Sequence, residues 1–121
     1  MSVKTFLAVI SILAVAYGVA FILAPGTLGA IYGTANSPAS EMMSRFFGVA
    51  LLPLGLILWF ARDFDGPALR NVLVAIAIGD TAGIGVSALG TLAGVMNVMG
   101  WTAVLIYVFG AVGAFWFLKG N

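Results

Sequence analysis

The chain has 121 residues, of which 63% are hydrophobic and 7% are charged, whereas an average soluble domain has about 25% charged residues. Five basic and four acidic side chains are too few to cover a soluble surface, so the composition indicates an integral membrane protein with a single domain. The net charge of +1 provides no basic surface that would attract nucleic acid. Because the chain has no cysteine and no histidine, disulfides, thiol catalysis, haem ligation by these residues and the usual zinc and copper sites are excluded.

The first predicted transmembrane helix covers residues 5–24, which matches the 20 or so apolar residues that cross a bilayer. Lys4 precedes it and Pro25 ends it. A cleaved signal peptide is the alternative, because the small residues Gly18 and Ala20 lie near its end. The hydrophobic region of a signal peptide spans about 7–15 residues. This apolar run is longer, which favours a helix that is retained.

Residues 25–40 carry no charge and are rich in glycine, so they are predicted to form a loop that lies in the membrane interface. The second span, 38–61, is predicted to begin with Ser37 as its N-cap and Pro38 at its first helical position. Pro53 lies inside this span, where we expect it to kink the helix and to free a carbonyl group.

Two further spans, 71–94 and 101–118, follow the only charged loop, 62–70. The predicted fold is therefore all-α, a four-transmembrane-helix bundle in up-down-up-down order. One side of the membrane then receives four basic residues, Lys4, Arg62, Arg70 and Lys119. The other side receives only Arg45. The positive-inside rule places both termini in the cytoplasm.

Asp80 is the one acidic residue far from the end of a span. It lies about 13–15 Å from the inner boundary, near the middle of a hydrocarbon core about 30 Å thick. A carboxylate there costs at least about 2.5 kcal/mol, so it should face protein or water. One interpretation is an ion or proton site, with Ser87 and Thr91 extending a polar track along the same side. The other is structural, with Asp80 hydrogen-bonded to a hydroxyl, an indole or the carbonyl freed by Pro53.

Arg45 is a second candidate, about one turn inside the outer boundary of the second span. One interpretation is that it reaches lipid headgroups or pairs with Glu41, four residues earlier, in the favourable order for a helical pair. The other is a water-linked pair with Asp80. Tyr107 lies deep in the fourth span and needs a partner for its hydroxyl, so it joins the candidate residues of a ligand or ion pathway.

Small residues line the third span and let neighbouring helices approach closely. The predicted helix-packing positions are Gly79, Gly83, Gly90 and Gly94, together with Pro53 in the second span. Ordinary packing within the chain is the favoured interpretation. The alternative is a face for self-association, for a lipid tail or for a partner helix.

Enzymatic signatures are missing from the sequence. Without histidine there is no Ser-His dyad, no phosphate-binding P-loop motif occurs, and one embedded acid does not provide a pair of catalytic carboxylates. We therefore expect a protein that is not an enzyme and that holds no cofactor and no metal.

Four short motifs are distributed along nearly the whole chain: Pro25-Gly26, Tyr32-Gly33, Arg45-Phe46-Phe47-Gly48 and Gly100-Trp101. In these motifs the chain resembles small four-span inner-membrane proteins of bacteria whose function is unknown. The resemblance implies a multi-pass protein of the bacterial inner membrane. It implies no activity.

The expected function is that of an accessory or scaffolding membrane protein. Its partners would be membrane lipids, a hydrophobic small molecule, a partner membrane protein or further copies of the chain. The alternative is a small proton-linked transporter or an ion-conducting oligomer that uses Asp80 and Arg45.

Overall fold

The computed structural model describes residues 1–120, and the regular secondary structure of this part of the chain is entirely helical, without strands. The helices are α1 (Val3–Leu23), α2 (Pro25–Tyr32), α3 (Pro38–Phe60), α4 (Gly66–Leu92) and α5 (Gly100–Lys119), and a short 3-10 turn, Ala61–Asp63, follows α3. Four of them, α1, α3, α4 and α5, are long and apolar enough to cross a membrane. The all-α class and the presence of four helices able to span a membrane are therefore confirmed.

The chain divides into two units, Met1–Asp63 and Phe64–Asn121. Each unit is a pair of long helices, and we call the two units the first and the second hairpin. In the first hairpin α1 packs against α3, and in the second α4 packs against α5.

The helices of the first hairpin run antiparallel and approach each other at glycine. A methyl group added at Gly48 would lie 2.6 Å from the carbonyl oxygen of Gly18, and one added at Gly55 would lie 2.9 Å from the backbone nitrogen of Val15. At Gly55 the two helices are also joined by a hydrogen bond, because the Ser11 hydroxyl donates to the Gly55 carbonyl at 2.8 Å. The backbones of the two helices therefore approach each other closely at Gly18, Gly48 and Gly55.

The segment after the first span differs from the prediction. The loop expected over 25–40 contains α2, an eight-residue helix that begins at Pro25. Proline suits the first turn of a helix because its fixed φ is helical and its missing N–H would have had no partner there. Gly33, with a φ of 72°, ends the helix in the left-handed conformation that glycine adopts without strain. The Pro-Gly pair that closes the first span thus also starts the next helix.

Aromatic and polar contacts attach α2 to the rest of the first hairpin. The hydroxyls of Tyr17 and Tyr32 lie 3.1 Å apart, and the Asn36 amide donates to the Gly26 carbonyl at 3.0 Å. The predicted N-cap of the second span is confirmed, since the Ser37 hydroxyl accepts from the backbone N–H of Ser40 at 3.1 Å. These contacts fix where α3 begins.

The helices of the second hairpin also run antiparallel. Methyl groups added on α5 would collide with Thr91 at Gly100 and with Asp80 at Gly110. The helix α4 begins at Gly66, five residues before the predicted start of the third span. Gly94, with a φ of 79°, turns the chain at its other end.

Candidate functional site

Asp80 lies on the seam of the second hairpin, near the middle of α4. At 1.5 Å per residue its Cα is about 20 Å from either end of that helix. The side chain is half-buried and points toward α5, because its Oδ2 occupies the space that a Cβ at Gly110 would fill. Gly110 is itself buried. The carboxylate therefore fits between the helices only because the facing residue has no side chain.

Within the described residues of the second hairpin, Asp80 receives no hydrogen bond and has no cation within ion-pair distance. In the described chain every fully buried side-chain oxygen or nitrogen has a hydrogen-bond partner. Because the Asp80 oxygens have none, they are not fully buried. The cost of at least about 2.5 kcal/mol for an embedded carboxylate is thus not offset inside the hairpin. A donor, a proton or water from outside the hairpin has to supply the compensation.

Ser87 and Thr91 lie on the α5 side of α4, about 10 and 16 Å further along the helix. The Ser87 hydroxyl donates to the Gly83 carbonyl at 2.6 Å, and the Thr91 hydroxyl donates to the Ser87 carbonyl at 2.8 Å. Both hydroxyl protons are therefore engaged on their own helix. Each oxygen keeps lone pairs that can accept a further bond, but neither hydroxyl contacts Asp80.

The glycines of the third span differ in what lies beside them. Gly83 packs under the ring of Tyr107, and Gly90 lies against the methyl group of Met96, which would be 3.1 Å from an added Cβ. Gly79, Gly85 and Gly94 are open, with no other heavy atom of the described chain within 4 Å of an added Cβ. Close packing inside the second hairpin thus rests on Gly83 of α4 and on Gly100 and Gly110 of α5, while Gly90 contacts the link between the helices and Gly94 serves the turn.

The close approach of α1 and α3 involves glycines that were not predicted as packing positions: Gly18, Gly48 and Gly55. The signal was present, because Gly48 and Gly55 are seven residues apart and therefore share one face of α3. Glycine is more frequent in the third span, so the two glycines of α3 did not stand out as packing positions. Pro53, predicted as a packing position, is exposed on α3.

Arg45 is exposed, and Glu41 is half-buried with Oε1 facing Gly26 in the first turn of α2. In the described part of the chain the one ion pair joins Lys4 Nζ to Asp63 Oδ1 at 3.2 Å. Arg45 and Glu41 are therefore not paired with each other. The exposed Arg45 side chain is free to reach lipid headgroups. The water-linked pair with Asp80 stays a prediction.

Each hairpin also has an open groove beside its seam. The first groove, of about 360 Å³, is lined by Ser11, Ile12, Val15, Ala16, Leu56 and Trp59. The second groove, of about 570 Å³, is lined mainly by Ala77, Ile78, Thr81, Ala82, Phe115 and Leu118. Both linings are almost entirely apolar.

No cluster of three or more potential metal-ligating side chains is found in residues 1–120. No protein-family model, no curated protein and no solved structure matches the chain. The class that the helices define is that of a multi-pass membrane protein.

Proposed function

We propose that the chain is an accessory or scaffolding membrane protein without enzymatic activity. It binds a lipid, a hydrophobic small molecule or a partner membrane protein from within the bilayer. The observation that supports this proposal is the pair of open apolar grooves, one beside the helix seam of each hairpin.

The physical argument is one of packing. A void beside a helix pair loses the dispersion contacts that its lining would otherwise make, so in a bilayer an apolar molecule fills it. The grooves, of about 360 and 570 Å³, are open along one side, so an occupant would contact the hairpin on one face and the surrounding membrane on the other. An acyl chain, a small apolar molecule or the side chains of another helix would each fill them.

Native mass spectrometry of the protein purified in mild detergent tests this proposal. We expect lipid or small-molecule adducts on the native chain, and fewer adducts on the groove-filling variants Ala16→Leu and Ala82→Leu. Ala50→Leu is the matched control, because Ala50 is exposed on α3 and lies outside the first groove. A bare polypeptide mass, or equal adducts on all four proteins, would contradict the proposal. The same spectra report whether the chain forms a homo-oligomer.

A second candidate, a proton-linked transporter or ion-conducting oligomer that uses Asp80 and Arg45, is favoured by the uncompensated carboxylate in the second hairpin. Its test compares proton flux into proteoliposomes for the native chain, Asp80→Asn and Asp65→Asn. Asp65 is the control, because it is exposed and makes no side-chain cap bond at the start of α4. Flux lost only in Asp80→Asn, with unchanged thermal stability, supports transport. No flux in any of the three proteins excludes it.

We also propose that the protein resides in the inner membrane of a bacterium with both termini in the cytoplasm. The excess of basic residues on one side supports the orientation. The resemblance to small bacterial four-span proteins supports the location.

A further inference from the structure

The first groove opens to the outside of the first hairpin and is lined almost entirely by hydrocarbon. Ile12 is 58% exposed and Leu56 45% exposed, so the two rims of the groove face whatever surrounds the protein. The only hydroxyl in its lining, that of Ser11, is engaged with the Gly55 carbonyl at 2.8 Å. The small side chain of Ala16 widens the opening. Apart from the indole N–H of Trp59 at one end, this lining provides dispersion contacts and no free hydrogen-bond donor for a polar ligand.

Trp59 closes one end of the groove, and a guanidinium group is stacked on it. The Cζ of Arg62 lies 3.5 Å from the centroid of the Trp59 ring. Its Nε donates to the Trp59 carbonyl at 2.8 Å. The same indole thus contacts both the groove and the cation. Because tryptophan is enriched at the membrane–water interface, we expect this end of the groove to lie near headgroup depth.

The remaining donors of Arg62 are available for a ligand. A guanidinium has five N–H groups, and the Trp59 carbonyl uses one of them, on Nε. Within the described residues of the first hairpin, nothing accepts from the two terminal nitrogens. The neighbouring acid, Asp63, pairs with Lys4 at 3.2 Å instead. Stacking on Trp59 and the hydrogen bond from Nε hold the guanidinium group in one orientation. Its two terminal nitrogens are then placed for bidentate binding of a phosphate.

The charge at this end of the first hairpin is complementary to an anion. Lys4 and Arg62 contribute two positive charges, and Asp63 contributes one negative charge that is already paired. A zwitterionic lipid would bring its own cation to a site with net positive charge, whereas an anionic lipid brings only the phosphate and neutral groups.

We propose that the first groove binds an acyl chain of an anionic phospholipid, with the lipid phosphate on the guanidinium of Arg62. This inference rests on the proposed function and names its ligand class for one of the two grooves. The chain of the lipid fills the space between α1 and α3, and the headgroup lies over the 3-10 turn. Each basic side chain near a membrane surface favours anionic lipid by about fivefold.

Fluorescence quenching by brominated lipids tests the proposal in the full chain. Replacing Trp101 and Trp116 with phenylalanine leaves Trp59 as the only indole, and bromine atoms on the acyl chains quench an indole that they contact. We expect brominated phosphatidylglycerol to bind about five times more tightly than brominated phosphatidylcholine. Arg62→Gln should reduce this ratio to about one. Arg45→Gln, which removes the same charge from the opposite end of α3, should leave it unchanged.

The groove itself is tested by Ala16→Leu, which should reduce quenching of Trp59 by both lipids, with Ala50→Leu as the matched control. Equal quenching by the two lipids in the native groove would overturn the assignment of an anionic ligand but leave lipid binding intact. A preference for phosphatidylglycerol that survives Arg62→Gln would overturn the role of Arg62. Absence of quenching by either lipid would show that protein covers the groove, and would overturn both this inference and lipid binding there.

Discussion

The position of the Asp80 carboxylate depends on one missing side chain, that of Gly110 on the facing helix. We expect Gly110→Ala to destabilise the second hairpin by about 1 kcal/mol, at the low end of the range for overpacking. The cost is modest because the atom in the way, Asp80 Oδ2, is the end of a short side chain that can rotate out of the seam. The free energy of unfolding in mixed detergent micelles measures the change.

Two further variants separate this collision from a general effect of alanine. Gly79→Ala, where an added Cβ has nothing within 4 Å, should be neutral or stabilise the helix by up to about 1 kcal/mol, because alanine has the higher helix propensity. In an Asp80→Ala background, Gly110→Ala should no longer destabilise, because the oxygen that it displaces is gone. If the two substitutions prove additive, the carboxylate does not lie against Gly110.

At the scale of secondary-structure elements, glycine substitutions should have larger effects in the first hairpin than in the second. The close contacts of the first hairpin involve backbone atoms, which cannot rotate away as the Asp80 side chain can. We expect Gly48→Ala to cost about 2–3 kcal/mol, toward the upper end of the overpacking range. The added methyl would lie 2.6 Å from the Gly18 carbonyl oxygen, which cannot move unless α1 and α3 separate. Unfolding in mixed micelles measures the loss, with Gly85→Ala as the control on an open face of α4. Equal effects of the two substitutions would argue against the close approach.

The hydrogen bond across the same seam should matter less than the glycine contact. Ser11 is 1% exposed and donates to Gly55, yet hydrogen bonds between membrane helices average only about 0.6 kcal/mol, with a maximum near 1.7. We therefore expect Ser11→Ala to cost less than Gly48→Ala under the same unfolding conditions. The reverse order would mean that polar contacts, and not close packing, hold this hairpin together.

The sequence predicted the spans well because length and hydropathy are local properties of the chain. It missed α2, since Gly26 and Gly29 lower helix propensity and the start signal at Pro25 was interpreted as the end of the preceding span. It also could not identify the seam glycines of α3. All faces of a membrane helix are apolar, so hydropathy does not show which face meets protein. Asp80 was identifiable from sequence, but its contact with Gly110 depends on the register of two helices.

At the scale of the whole molecule, the orientation in the membrane follows from charge and is a prediction that single cysteines can check. The native chain has no cysteine, so Ala68→Cys at the start of α4 and Val98→Cys before α5 would each provide one thiol. Both positions are exposed. We expect a membrane-impermeant maleimide to label Val98→Cys in intact cells, and to label Ala68→Cys only after the membrane is opened.

This labelling pattern is expected from the distribution of basic residues, four of which are predicted on the cytoplasmic side and one on the other. The contact between Lys4 and Asp63 at 3.2 Å supports part of this arrangement, because it brings the start of α1 and the end of α3 together. If the charges set the orientation, replacing Arg62 and Arg70 with glutamine should leave only two basic residues against one. Some copies should then insert the other way, and both thiols should become partly labelled in intact cells. Unchanged labelling in that variant would mean that hydrophobic features of the spans, and not the loop charges, determine the orientation.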